Sequence, residues 1–332
     1  MELMDRIKEQ ARGLDKTVVL PDATDERTLR AAEIIVREKL ANVVLLGCPD
    51  ELAKQAGDIG VSLDKVCIEN PATAQNRDDY IAKLVELRKH KGWSEEKADK
   101  KLNNPLYWAV MMVKMGHADA EVAGSLSATG DVLKPAFQIV KTQPGISKVS
   151  GAFIMISEKK EFGDDGVLIF ADCAVNPTLS AREMAEVAVC SAQTAKNIAG
   201  LEPRVAMLSF STKGSAEHKE VDKVRKATAL VKEMAPDVMV DGEMQADAAI
   251  VAKIGAKKAP DSPVAGKANV LVFPDLNSAN IGYKLTQRFG GVEAIGPVLQ
   301  GLAGPINDLS RGCSVDDIVN TTAMACVQAA SE

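Results

Sequence analysis

Short apolar runs rich in valine, isoleucine and leucine alternate with helix-length amphipathic segments along nearly all of the 332 residues. Apolar runs without polar alternation fit strands covered on both faces, which are the strands of parallel sheets flanked by helices. Thr17-Val-Val-Leu-Pro-Asp22 reads as a strand ending in a turn. Thr24-Asp25 then caps a helix presenting Leu29, Ala32, Ile35 and Val36 on one face, and Ala41-Asn-Val-Val-Leu-Leu-Gly47 reads as the next buried strand. A helix from Pro49-Asp50 and a strand at Val66-Cys-Ile68 follow, and the chain is helical from Asn76 to about Met115. Further strands are predicted at Asp119–Gly124, Gly151–Ile156, Gly166–Ala171, Val205–Phe210, Val238–Val240 and Asn269–Phe273. Helices are predicted through Pro135–Val140, over roughly 180–199, at 216–234, near 247–256 and from about Ser278 to Arg288. A Gly/Pro-rich stretch comes next, and a last helix begins near Ser314. The pattern predicts an α/β fold with mostly parallel sheets, and the length corresponds to about two domains.

Composition removes several classes of function. Apolar residues at 46% and charged residues at 26% suit a globular chain and not a disordered one. No apolar stretch approaches the roughly 20 residues needed to cross a bilayer. Met1-Glu-Leu-Met-Asp-Arg6 has acids where a signal peptide has bases, so the expected location is cytoplasmic. A net charge of −6, with lysine and arginine spread evenly, argues against nucleic acid as a partner. The six cysteines form no Cys-x-x-Cys pair and read as reduced thiols, and His90, His117 and His218 make no zinc pattern. No metal is expected.

In open α/β sheets, ligands bind in loops beyond the carboxyl ends of strands. Four such loops carry hydroxyls, glycines and helix-start amides suited to an anion: 124–130, 209–215, 274–278 and 307–314. Turns and N-caps demand the same residue types, so any one loop is ambiguous. No Gly-x-x-x-x-Gly-Lys-[Ser/Thr] occurs, and no Gly-x-Gly-x-x-Gly follows the first strand, which points to phosphate chemistry without a nucleotide.

The segment Asn307-Asp-Leu-Ser-Arg-Gly-Cys-Ser-Val-Asp-Asp-Ile318 resembles the C-terminal motif of the phosphotransacetylase (phosphate acetyltransferase) family. Leu20-Pro-Asp-Ala-Thr-Asp-Glu-Arg27, Asp241-Gly-Glu-Met-Gln-Ala-Asp247, Phe273-Pro-Asp-Leu-Asn277 and Ile295-Gly-Pro-Val-Leu-Gln-Gly301 resemble the same family, in order along the chain. The resemblance implies interconversion of acetyl phosphate plus coenzyme A with acetyl-CoA plus phosphate, by direct thiolate attack in a ternary complex. Coenzyme A is a substrate there, and no cofactor is required. It also implies a homodimer of two-domain subunits, each domain αβα, with the active site in an interdomain cleft. Residues 1–145 and 301–332 would form the first domain and 146–300 the second.

Site residues carry over from the matching positions. Asp317 corresponds to the proposed general base for the thiol, although Ser314-Val-Asp-Asp317 also reads as a capping box. Ser310 corresponds to a serine beside the reacting carbonyl, and Arg311 to an arginine that stabilises thiolate and phosphate charge. Cys313 stands where the family has a cysteine near the site. An acyl-cysteine route is the alternative there, with no base evident beside the thiol. Arg88 corresponds to an arginine linked to coenzyme A, and Ser127 and Thr129 lie in the loop matching the acyl-phosphate pocket. Lys134 replaces a family arginine before Pro135, and Gly130 replaces an alanine; lysine keeps the charge but not the bidentate fork. The alternative functions are phosphate butyryltransferase and a non-catalytic acetyl-CoA-sensing module.

Overall fold

The computed structural model describes residues 2–331. In chain order the elements are α1 (Leu3–Arg12), β1 (Thr17–Leu20), α2 (Glu26–Arg37), β2 (Asn42–Leu46), α3 (Pro49–Asp58), β3 (Cys67–Glu69), α4 (Arg77–Arg88), α5 (Glu95–Leu102), α6 (Pro105–Met115), β4 (Ala120–Ala123), α7 (Thr129–Ile139), β5 (Ser150–Ile156) and β6 (Val167–Ala171). There follow α8 (Ala181–Asn197), β7 (Arg204–Leu208), α9 (Lys219–Met234), β8 (Met239–Met244), α10 (Ala246–Ile250), α11 (Ala252–Lys258), β9 (Val270–Val272), α12 (Leu276–Gly290), β10 (Glu293–Gln300), β11 (Ile306–Asp308) and α13 (Val315–Ala330). The chain divides into two compact units, one of Met1–Lys141 with Leu302–Glu332 and the other of Thr142–Gly301.

The first unit is built on a sheet of order β11-β4-β1-β2-β3, parallel throughout. Its central strand positions are apolar on both faces, so helices cover both. Helix α6 is buried nearly all round, from Leu106 to Met112, because its sequence is apolar all round. Trp108 is fully buried within it and still satisfies its indole N–H, which donates to Glu69 Oε1 at 2.6 Å. The sheet begins and ends with segments far apart in the chain: β11 returns to pair with β4, Asn307 opposite Val122. That return brings the C-terminal motif beside the loops that follow β1 and β4.

The second unit has a six-stranded sheet of order β10-β5-β6-β9-β7-β8. Strands β6, β9, β7 and β8 run parallel, while β10 and β5 join antiparallel at one edge. Phe153, Met155, Leu168, Phe170, Leu208, Met244 and Leu271 form part of its core.

Sequence and structure differ at four places. The Gly/Pro-rich stretch after α12 is strand β10, whose register shifts between Ile295 and Val298 where Gly296-Pro297 interrupts the ladder. Segment Ile306–Asp308 is a strand too short to carry a periodic signal, and α1 precedes the first strand where no helix was predicted. The helical segment after Gln245 is split in two at Val251. Among the described residues no helix is long and apolar enough to cross a membrane.

Candidate active site

Three consecutive strands of the first unit, β11, β4 and β1, send their carboxyl-end loops to one place. After β1, Asp22 receives the backbone N–H of Gly124 (2.8 Å) and Leu126 (3.2 Å) and the hydroxyl of Ser127 (2.9 Å), all from the loop after β4. Gly124 is required there: its φ is +105°, and a β-carbon would collide with the Leu309 carbonyl and the Asp308 carboxylate. The loop therefore sits tight against the end of β11, one residue before Ser310.

The turn that opens α13 is tightly specified. Ser314 is the N-cap, its Oγ accepting from the Asp317 N–H at 3.1 Å. The Asp317 Oδ2 accepts in return from the Ser314 N–H at 2.8 Å and from the Ser314 hydroxyl at 2.9 Å. The capping reading of Ser314-Val-Asp-Asp317 is thus realised, a feature typically worth about 1 kcal/mol to the helix. It occupies one carboxylate oxygen of Asp317 and leaves Oδ1 open on an exposed residue. Ser310 is exposed as well. Its Oγ accepts from the Gly312 N–H at 3.2 Å, which leaves its own proton for another acceptor. The Arg311 side chain is exposed, and among the described residues its guanidinium has no hydrogen bond or ion pair. A carboxylate, a hydroxyl and a free guanidinium therefore project from eight consecutive residues. Cys313 is buried between them, and burial raises its thiol pKa despite the opposing Arg27 guanidinium, 3.8 Å from Sγ. The group is a neutral thiol and not a poised nucleophile.

Thr129 begins α7, and its hydroxyl acts to lower the Asp308 pKa against the rise that burial causes. The N-cap of α7 is Ala128, which supplies no side-chain cap, so this helix start keeps amides open to an anion. Lys134 lies exposed on the same helix, one residue before Pro135. Among the described residues Arg88 makes no hydrogen bond to the turn. It ends α4, its guanidinium stacks over Trp93 at 5.5 Å, and its Nε is buried without a partner. Lys97 approaches Trp93 at 5.0 Å and Lys101 approaches Tyr107 at 5.2 Å, so Arg88 belongs to a cationic and aromatic surface of the first unit.

Of the four loops predicted as anion cradles, two are already filled by the chain's own carboxylates. The 124–130 loop holds Asp22. The 209–215 loop holds Glu243, which accepts from Ser211 Oγ (3.0 Å), Gly214 N (2.9 Å) and Arg225. Burial pushes the Glu243 carboxyl up, but these bonds outweigh it and the pKa lies below the ordinary value. Lys213 of the same loop pairs with Asp241. In the 274–278 loop Asp275 caps α12 through the Ser278 N–H at 2.8 Å. Among the described residues, the 307–314 loop presents unspent side-chain donors at Ser310 and Arg311, and the start of α7 at the end of the 124–130 loop keeps backbone amides open. Sequence reasoning missed Arg27, which binds this turn, and the buried carboxylate Glu121; neither has a local signal, because their neighbours come from other strands.

The phosphate acetyl/butaryl transferase family model matches residues 2–326. A phosphate acetyltransferase of Thermoanaerobacterium thermosaccharolyticum is 52% identical over 99% of this chain and 100% of its own length. One of Clostridium acetobutylicum is 48% identical over 99% of both. Among solved structures, a phosphotransacetylase from Streptococcus pyogenes superposes with a TM-score of 0.95 at 45% identity, covering 99% of this chain and 98% of that one.

Proposed function

The chain belongs to the phosphate acetyl/butaryl transferase family, and from that premise we propose how its own residues carry the reaction. It is an acyltransferase that moves an acetyl group reversibly between acetyl phosphate and coenzyme A. We assign the chemistry to the turn that opens α13. A free thiol has a pKa near 8.5, so a base is needed to raise the thiolate fraction at neutral pH. Asp317 Oδ1, the oxygen not spent on the cap, takes that proton. The thiolate attacks the acetyl carbon, the new C–S bond forms, and the carbonyl electrons collect on oxygen. Ser310, with its hydroxyl proton unspent, donates to that oxyanion. The C–O bond to phosphate then breaks and its electron pair leaves with phosphate, whose charge Arg311 holds through a bidentate fork.

The observation that carries this assignment is the Arg311 guanidinium, exposed and without a protein partner beside Ser310. A guanidinium with its donors unspent beside a hydroxyl suits bidentate binding of a phosphate. Thr129 and the open start of α7 supply further anion donors, with Lys134 a point charge on the same helix, whereas the Ser127 hydroxyl is already given to Asp22 and shapes the loop rather than meeting the anion. Arg88 suits the nucleotide part of coenzyme A, since a guanidinium over Trp93 extends a flat cationic surface for phosphate and base. Cys313 packs behind the turn and stays protonated, which favours direct transfer over an acyl-cysteine.

Acetyl-CoA formation from acetyl phosphate and coenzyme A, without added metal or nucleotide, tests the activity. Arg311→Ala should lose about 100- to 1000-fold in kcat, as removal of one charge-stabilising donor does elsewhere. A near-parental rate removes Arg311 from the chemistry. Butyryl phosphate as competitor substrate, with the ratio of kcat/KM values, decides the acyl range.

We also infer a cytoplasmic homodimer. Support comes from α12, where Ile281, Leu285 and Phe289 recur every four residues at 58%, 51% and 89% exposure. Residues at that spacing form one stripe, and a stripe of this size is unusual on a lone subunit.

A further inference from the structure

Arg27 lies in the motif Leu20-Pro-Asp-Ala-Thr-Asp-Glu-Arg27, to which the chemistry above gives no role. It stands in the first turn of α2, one residue past the start, where a cation gains nothing from the helix dipole. Its side chain turns back over its own N-cap. Asp25 accepts from the Arg27 N–H (2.9 Å) and Nε (3.0 Å) with Oδ1 and from Nη2 (2.6 Å) with Oδ2. The other edge of the fork leaves α2 altogether. Nη1 donates to the carbonyls of Arg311 (2.9 Å) and Cys313 (2.7 Å), and Nη2 donates to the carbonyl of Ser125 (2.9 Å).

A guanidinium has five N–H donors, and all five are engaged by one carboxylate and three backbone carbonyls. Arg27 therefore has no donor left for a phosphate or an oxyanion. Asp25 is only 7% exposed and is held as the carboxylate: burial raises its pKa, but the bonds from Arg27 outweigh burial and bring it below the ordinary value. The pair thus fixes the plane of the guanidinium, and the plane fixes the carbonyls. Loops from β1, β4 and β11 meet at this one side chain, and two of the three carbonyls are those of Arg311 and Cys313.

We propose that Arg27 is a positioning residue for the transfer reaction, a clamp that sets the Arg311–Cys313 turn against the Ser125 loop and so aims the Arg311 side chain. This rests on the assignment of the chemistry to that turn. It acts through peptide geometry and not by touching substrate. Misplacement of reacting groups by about 1 Å can cost on the order of 100-fold. Lysine cannot replace it, because a single ammonium cannot span a carboxylate and three carbonyls on two edges.

The test is a double-mutant cycle in the full-length enzyme between Arg27→Met and Arg311→Ala, read in kcat for acetyl-CoA formation. Arg27→Met alone should lower kcat on the order of 100-fold. On the Arg311→Ala background it should cost no more than about three-fold, since the group it aims is gone. A full 100-fold loss on both backgrounds means that Arg27 acts independently of Arg311 and overturns the clamp, as does an unchanged kcat in Arg27→Met. If Arg311→Ala by itself retains the parental rate, the assignment of chemistry to the turn has failed, a result distinct from either. Should Arg27→Met not fold, Arg27→Lys is put through the same cycle: about a ten-fold loss that vanishes on the Arg311→Ala background supports the clamp, and parental activity overturns it.

Discussion

At the scale of single residues, Asp317 has two assignments that one atom each can satisfy. Oδ2 is held by the Ser314 N–H and hydroxyl, and Oδ1 is open. Asparagine preserves the acceptor but not the basicity. Asp317→Asn should therefore keep the cap, leaving Tm within about 2–4 °C, the shift that roughly 1 kcal/mol gives at this size. It should lose about 100-fold or more in kcat, as loss of a general base does. Ser314→Ala should do the reverse, losing about 1 kcal/mol of stability while retaining most of kcat. Thermal melts and initial rates on the two variants check this, and a parallel fall of both quantities in Asp317→Asn would reduce Asp317 to a cap. The cap was legible in the sequence, since Ser314-Val-Asp-Asp317 is a local pattern, whereas the base role was carried by the family resemblance. Arg27 was not legible. Its partners Ser125, Arg311 and Cys313 lie 98, 284 and 286 residues away, and no periodicity in a single chain encodes which distant carbonyls an arginine meets.

At the scale of elements, the carboxyl end of the first sheet concentrates acid. Glu121 in β4 is fully buried and neither of its oxygens has a hydrogen-bond donor, while Asp22 and Asp308 both face it electrostatically. Burial first, and then those two charges, raise the Glu121 pKa well above the ordinary value. Burial also raises Asp308, to about 6, with the Thr129 hydroxyl opposing and Asp22 adding to the rise. An acid whose pKa is higher folded than unfolded binds more protons in the native state between the two values. Its stabilising contribution is complete below the unfolded pKa and is lost as pH rises through the folded one. For Asp308 that window runs from about 4 to 6, and a shift of this size corresponds to up to about 3 kcal/mol. Urea unfolding at pH 5 and pH 8 should show wild type weaker at pH 8 from this source. Glu121→Gln, neutral at both, should narrow the difference by about 1 kcal/mol or more; an unchanged difference would mean that Glu121 is already charged in the folded protein at pH 5 and that its pKa is not raised. Asp25 and Glu243, held low by arginine, act in the opposite sense and in a separate window, as pH falls below about 4. The strand pattern disclosed β1 and β2 because they are apolar runs, and β4 despite Glu121 because small and β-branched residues run into a Gly/Ser turn. It concealed β10, where Gly296-Pro297 breaks the run, and β11, where three residues carry two polar side chains.

At the scale of the whole molecule, the sequence reveals the alternation that makes two α/β units but not what covers α12. A helical stripe reads as core when only its spacing is seen, and Ile281, Leu285 and Phe289 have core spacing. The structure leaves them exposed, and the only buried residue of α12 is Ala279. Three side chains cannot make an interface alone, because a stable one hides about 800 Å² on each partner. They suffice as its centre, where aromatic and aliphatic anchors dominate the energy. In a two-fold dimer each residue counts twice, once on either subunit. Losing the burial of one large apolar side chain costs roughly 1.5–3 kcal/mol. Phe289→Glu, applied twice, should therefore weaken dimerisation on the order of 1,000-fold or more, since each 1.4 kcal/mol is a factor of ten. Glutamate at an 89% exposed position disturbs no packing within the subunit, so the melting profile at low concentration should stay near that of a separated wild-type subunit. Sedimentation velocity across a micromolar range distinguishes the outcomes. A wild-type dimer with a monomeric Phe289→Glu variant places the stripe at the subunit interface. A dimer that survives the substitution moves the interface elsewhere, and a monomeric wild type removes it.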